Sequence, residues 1–366
     1  MNSSKECCLE YKIVQILLIV LLLITIVKDS FLFNPRKIKT YLKFFILLNM
    51  SNNNTDLKII FYSKGDPHRK NLESIKRMCH LTKFYFCRCE NEVYKNISIL
   101  SRESFILLIC NDKYISYKDP HLCQYKGNLK IIYGPQFFVF PEGIFTDKYD
   151  KETKGKCIYN TLSLWVEKLY QEMSKNFLID MGQFPFGIDI DYFFKKPEKD
   201  MDFDCLVYIK DRSQDIVNKI LNVLDLKGLS YNTIKYRNYN ENDYKNLLYK
   251  SKFMLVLDRH ESQGFALQEA MSTNTPLLVL DSTTMYDEID QSDKSVYDYL
   301  KPKKLLCTSV PYWSDKCGIK IYSIDDLSVS IDILLDKLDS FKPREYIIDN
   351  LSDEVCMKRI KDWIFQ

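Results

Sequence analysis
The chain has 366 residues, more than one ordinary domain holds and suited to two. An apolar share of 46% supports sizeable cores and excludes global disorder, and only ten glycines exclude collagen-like or Gly-rich linker sequences. Lys and Arg number 52 against 49 Asp and Glu; the resulting +3 lacks the basic excess of a nucleic-acid binder, and no nucleic acid is expected as partner.

The first element is an uncharged run from Ile13 to Val27, flanked by Lys12 and Lys28. As a helix it spans about 22 Å, short of the ~30 Å hydrocarbon core. Snorkelling lysines, with Phe31, Leu32 and Phe33, extend its reach. No small-x-small cleavage pattern follows, so residues 1–33 are expected to hold a single-pass membrane anchor rather than a cleaved signal. The basic residues after the run, Lys28, Arg36, Lys37, Lys39 and Lys43, favour a cytoplasm-facing chain. Sequons at Asn49, Asn53, Asn96 and Asn350 fit the opposite, lumenal type II orientation. Residues 34–55, basic and then rich in Asn and Ser, read as a stalk.

An α/β alternation begins at residue 56. Leu57 to Tyr62 predicts a buried strand ending at Ser63-Lys64-Gly65-Asp66-Pro67, followed by a helix near Leu72 to His80. Phe105 to Cys110 and Lys130 to Tyr133 are further strands, and Leu162 to Met173 has helical spacing. A second round opens after Gly187-Ile188-Asp189. It comprises strand Cys205 to Ile209, helix Asp215 to Leu224 with Ile216, Ile220 and Leu224 on one stripe, strand Leu229 to Tyr236 and helix Asp243 to Tyr249. Strand Phe253 to Leu257, a loop, helix Phe265 to Met271 and strand Leu277 to Leu280 complete it. Asp353 to Phe365 predicts a last helix packing across the junction. The pattern divides the chain into lobes 56–185 and 186–345 with a tail at 346–366. Two open parallel sheets carry their sites beyond the C-terminal strand ends, so both point into one cleft.

Twelve cysteines are scattered without zinc-site spacing and read as free thiols; no metal is expected. The chemistry concentrates in Asp258-Arg259-His260-Glu261-Ser262-Gln263-Gly264-Phe265-Ala266-Leu267-Gln268-Glu269-Ala270-Met271, between two apolar strands. Gly264 marks the turn into a helix whose first N–H groups can hold a diphosphate. Glu269, one turn in, can accept hydrogen bonds from vicinal hydroxyls. The two alanines of the whole chain, Ala266 and Ala270, fall here four apart, on the face where a helix packs closely.

Glu261 to Met271, followed by Thr275-Pro276-Leu277-Leu278-Val279, resembles the E-x7-E region of retaining GT-B glycosyltransferases of the group 1 family. The lead-in Tyr244 to Leu257 resembles the helix and strand before that motif, and Phe184-Pro185-Phe186-Gly187-Ile188-Asp189 its interdomain segment. The match covers about a third of the chain, roughly residues 180 to 285. It implies a GT-B-like α/β fold of two Rossmann-like domains with a cleft between them. It also implies transfer of a sugar, with retention and without a metal, from a nucleotide-diphosphate donor to a glycan, lipid-linked or protein hydroxyl. By the resemblance Glu261 contacts the donor sugar, Glu269 the ribose, and the backbone of Gln263, Gly264 and Phe265 the diphosphate, with His260 lining the pocket and Gly65 in a loop of the first lobe. The family's basic pair maps to Lys210 and Arg212, which depart from its usual spacing but as alternate residues can reach one anion. Asp66 and His68 are acceptor-side candidates.

Three readings compete. A GT-A transferase would hold a metal on an Asp-x-Asp, present at Asp189/Asp191, Asp200/Asp202 and Asp202/Asp204. A non-catalytic sugar-nucleotide-binding scaffold would keep the fold and lose the chemistry. A nucleotide-sugar 2-epimerase shares the GT-B architecture but accounts for no anchor.

Overall fold
The computed structural model describes residues 56–80, 82–100, 102–125, 127–136, 153–173, 179–195, 201–284 and 306–366. The expected anchor at Ile13 to Val27 and the stalk at 34–55 lie outside them. Among the described residues, no helix is long and apolar enough to cross a membrane.

Short apolar runs buried on both faces build two parallel sheets. The first lobe holds β1 (Leu57–Tyr62), α1 (Arg69–Met78), β2 (Lys83–Cys87), α2 (Glu90–Ser98), β3 (Phe105–Cys110), β4 (Leu129–Tyr133), β5 (Cys157–Asn160), α3 (Leu164–Met173) and β6 (Asp180–Gly182). Its strand order is β2-β1-β3-β4-β5-β6, all neighbours parallel. Alternate residues of each strand enter opposite layers. Ile59, Phe61, Leu107 and Ile109 face the layer shared with α1, while Ile60, Tyr62, Ile106 and Leu108 face that of α2.

The second lobe holds β7 (Phe203–Ile209), α4 (Gln214–Leu226), β8 (Tyr231–Lys235), α5 (Glu241–Lys250), β9 (Ser251–Leu257), α6 (Phe265–Ser272), β10 (Leu277–Leu280), β11 (Gly318–Ile321), α7 (Leu327–Asp336), α8 (Pro343–Leu351) and α9 (Asp353–Ile364). Its order is β11-β10-β9-β7-β8, again parallel throughout. Ser213 caps α4 by accepting from Ile216 N–H at 3.4 Å, and Asn240 caps α5 by accepting from Asp243 N–H at 2.9 Å. The buried stripe of α4 is Val217, Ile220 and Leu224, with Ile216 only half-buried. The expected 216-220-224 spacing drifts off a 3.6-residue stripe, and 217-220-224 stays on it.

The chain passes from the first lobe to the second through Gln183 to Asp189 and returns at Leu351. Ile188 N–H donates to Leu351 O at 2.9 Å, and Ile188 bridges to Ser352, so the two crossings lie side by side. Gly187 allows this contact: a Cβ there would stand 2.6 Å from Asp353 Cα and 2.1 Å from its Oδ1. Beyond the crossing α9 lies on the first lobe. Phe365 meets Phe105 edge-on at 5.1 Å, Trp363 meets Phe184 at 5.7 Å, and Lys130 Nζ donates to Trp363 O at 2.6 Å. One apolar layer therefore runs through both lobes, from Ile59 and Phe61 through Phe186 and Ile188 to Met254, Val256, Met357 and Ile360.

Candidate functional site
In each sheet the strand order reverses between two neighbours, β1/β3 in the first lobe and β7/β9 in the second. Chain leaving such a pair diverges to opposite faces and opens a crevice at the C-terminal strand ends.

In the second lobe Lys210 follows β7 and donates its backbone N–H to Leu257 O at 2.8 Å, which sets it beside the loop leaving β9. Its ammonium pairs with Glu261 Oε1, stands 3.6 Å from Asp258 Oδ2, and lies 4.7 Å from the centre of the Tyr236 ring. Burial alone would lower the Lys210 pKa; Glu261 and Asp258 outweigh it and hold the pKa above its usual value. Asp258 is fully buried. Its Oδ1 accepts from Arg259 N–H at 2.7 Å, while Oδ2 has no hydrogen-bond donor. Burial and then the neighbouring Glu261 charge push its pKa well above the carboxylate range. His260 is pushed down by burial, Arg259 and Lys210, so it is neutral at neutral pH.

Gly264 has φ 83° and precedes α6 without a side-chain cap. A side chain at this left-handed position would be strained, and the first turn of α6 keeps N–H groups without helical partners. Glu269 is 5% exposed within α6. Burial raises its pKa against the opposing effect of Lys70 from α1, whose ammonium pairs with Glu269 and also with Glu241 of α5. Arg69 reaches Glu241 at 3.0 Å. A cavity of about 120 Å³ adjoins these groups, lined also by Arg77, Asp189, Tyr192 and Phe193. That is below the ~300 Å³ at which ligand pockets begin, and the Lys70 ammonium from the first lobe occupies the Glu269 carboxylate.

The structure thus brings Lys210, Glu261 and Gly264 together beside His260, while Phe265 and Glu269 line the cavity with Lys70. One candidate is held elsewhere, and a second has its side chain engaged while its backbone stays in the loop. Arg212 donates to Leu280 O at 2.6 Å and to Ser282 Oγ at 3.2 Å, toward β10 rather than toward Lys210. The Gln263 side chain locks the crossing segment, donating to Phe186 O at 2.6 Å and accepting from Phe186 N–H at 3.0 Å. In the first lobe the Gly65 N–H donates to Asp112 Oδ2 at 2.7 Å and that of Lys64 to Oδ1 at 2.8 Å. The donors of the Gly65 loop are therefore bound by a carboxylate from β3's end. His68 stacks on Phe265 across the cleft at 6.1 Å, and burial lowers its pKa. Asp66 is exposed and pairs with Arg88 at 3.0 Å.

Residues outside the motif complete the wall. Trp165 of α3 donates its indole N–H to Glu261 O at 2.9 Å and meets His260 edge-on at 6.0 Å. Tyr312 O–H donates to Leu162 O. Lys70 and Trp165 were not anticipated; the only sequence signal was that Trp165 is one of three tryptophans. The Asp-x-Asp pairs serve other contacts. Asp189 accepts from Tyr192 N–H at 2.8 Å, and Asp204 stands at the start of β7, away from the crevice, bound by Lys252 at 2.6 Å and by Ser230. Among the described residues no group of three or more His, Cys, Asp or Glu gathers as a metal site, and Asp200 lies outside them.

No family model matches the chain. No curated protein matches it either. Among solved structures it is similar to the lipopolysaccharide outer core galactosyltransferase WaaB, at 13% identity and TM-score 0.48 over 84% of this chain and 99% of that one. It is also similar to HepE from Anabaena, solved with UDP and glucose, at 10% identity and TM-score 0.45 over 83% and 98%. A third likeness is to TarM, at 15% identity and TM-score 0.44 over 75% of this chain; the chain spans only 57% of TarM's length.

Proposed function
We propose that this chain is a glycosyltransferase that takes a sugar from a nucleotide-diphosphate donor and transfers it, with retention and without a metal, to a hydroxyl of a glycan, lipid-linked or protein acceptor. The observation that carries this reading is the pairing of Lys210 with Glu261 at the C-terminal strand ends, at the start of the α6 helix whose buried Glu269 meets Lys70 of the first lobe. Departure of a nucleoside diphosphate builds negative charge on the leaving oxygen. A fixed ammonium and N–H donors in a water-poor cleft stabilise that charge most. Glu269 suits ribose hydroxyls once Lys70 withdraws, and Glu261 suits the sugar. With His68 and His260 neutral, the leaving phosphate is the base for the acceptor proton. The uncharged run at Ile13 to Val27 supports tethering to a membrane with the catalytic part facing the cytoplasm.

The test is thermal unfolding of the chain with UDP-, GDP-, ADP- and CMP-sugars, with and without chelator, beside Glu269→Ala. A donor at a hundred times its dissociation constant adds about 2.7 kcal/mol, a rise of several degrees. The expected result is a rise with one nucleotide class, indifferent to chelator and lost in Glu269→Ala. Absence of any rise in folded protein would overturn the reading. A non-catalytic nucleotide-sugar-binding scaffold is the second reading, favoured by Arg212 being turned toward Leu280. It predicts the same rise with no release of nucleotide diphosphate.

A further inference from the structure
Asp258 and Glu261 present two carboxylates to one ammonium, that of Lys210, and all three side chains are largely buried. Asp258 Oδ2 has no donor within hydrogen-bonding distance, and the Lys210 ammonium is 3.6 Å away, occupied closely by Glu261. Asp258 Oδ2 and Glu261 Oε1 converge on the one Lys210 ammonium. Two carboxylates that share one ammonium in a buried site carry more negative charge than it offsets, which favours a proton on one of them. The remaining groups facing Asp258 supply no second cation: Tyr208 from β7 is a neutral phenol, and Arg259 offers its backbone N–H. From the first lobe, Trp165 donates to the Glu261 backbone carbonyl and His68 stacks on Phe265.

We propose that Asp258 is a positioning residue that stays protonated at neutral pH and donates its proton to Glu261, fixing the Glu261 carboxylate between that acid and Lys210. The contact of Glu261 with a donor sugar rests on the glycosyltransferase reading; the shared proton does not. With the proton, the three side chains sum to zero charge. Without it they sum to one negative charge, facing the place where a diphosphate would sit. Donor affinity and turnover then fall as pH rises through the titration of Asp258. Alanine at 258 removes the donor, and asparagine replaces it with an amide N–H that does not titrate.

Two measurements on the full chain test this. The first is an infrared difference spectrum between the wild type and Asp258→Asn at neutral pH, which needs no ligand. A protonated carboxyl C=O band present in the wild type and absent in the variant is expected. Identical spectra in the protonated-carboxyl region would overturn the proposal whatever the chain's activity. The second is the pH profile of nucleotide-diphosphate release from UDP-glucose, GDP-mannose or ADP-glucose. Asp258→Ala should lower kcat about ten- to a hundredfold, the loss of one hydrogen bond to a charged group. Asp258→Asn should recover most of that loss while removing the alkaline limb. An Asp258→Asn profile with the wild-type alkaline limb would overturn the proposal. Release from no donor by the wild type counts against the function in the preceding subsection, and the infrared result alone then decides Asp258.

Discussion

Lys70 sets the electrostatics of the closed cleft, because it is the ammonium that compensates Glu269 in the core of the other lobe. Lys70→Met leaves that carboxylate buried without its counter-ion, a cost on the order of 3 kcal/mol. A fall of several degrees in the thermal midpoint is expected, and Glu269→Gln in the same chain should return part of it. An unchanged midpoint would show that the contact contributes nothing. Glu261, Gly264 and Glu269 were legible in sequence because their relation is local: a strand end, a left-handed turn and one helical turn. Lys210 was legible as the residue after a strand. Lys70 was not, since 199 residues separate it from Glu269 and nothing in α1's own pattern marks it. Gln263 was placed correctly in the loop, but its side-chain partner, Phe186, is 77 residues away.

Strands and helices followed the periodic signal where they were long or strongly apolar. β1, β3 and β10 have the ends their sequences predict, and α1 begins only three residues early. β5, β6 and β11 were missed because three or four residues are too few to show a period, and β2 because its five residues, Lys83 aside, show no polar–apolar alternation. At the junction of elements, the N-terminus of α9 meets α1: Arg77 Nε donates to Asp353 Oδ2 at 3.0 Å, and Arg77 also donates to Gly187 O at 3.0 Å. Burial, against the opposing effect of Arg77, raises the Asp353 pKa to about 6. A raised carboxyl pKa means the folded state binds the proton more tightly than the unfolded chain. Its contribution to stability is therefore complete below the unfolded value near ~4 and is lost as pH rises through about 6. Asp353→Asn keeps a neutral group at every pH. Relative to wild type it should gain stability between pH ~4 and ~7, by on the order of 2 kcal/mol. Parallel pH–stability curves for the two proteins would contradict this.

For the whole molecule, the two parallel sheets were legible because the strand–helix alternation runs twice with a Gly187-Ile188-Asp189 segment between. What no local pattern revealed is the closed state of the cleft, which depends on Lys70, Trp165 and Tyr312 meeting partners on the other lobe. α9 is structural at this scale: Cys356, Met357, Ile360 and Ile364 are buried by it. Each contributes about 1.5–3 kcal/mol, so together they approach the ~5–15 kcal/mol that holds a typical fold. A chain ending at Ser352 should fail to fold cooperatively, read as loss of a single sharp unfolding transition. A sharp transition near the full-length midpoint would show that the lobes do not depend on that helix.

The paired crossings at Ile188 and Leu351 have a mechanical consequence. Two lobes joined by one strand of chain can twist, slide and bend relative to each other. Joined by two adjacent segments that hydrogen-bond to each other, they are expected to turn about one axis, like a door on a pin. Distances measured across the mouth, such as between Arg69 and Glu241, change as the door opens, while the separation of Gly187 from Asp353 stays fixed. A ligand that shuts the cleft therefore freezes a single rotation, and little of its binding energy is lost to ordering the halves of its own receptor.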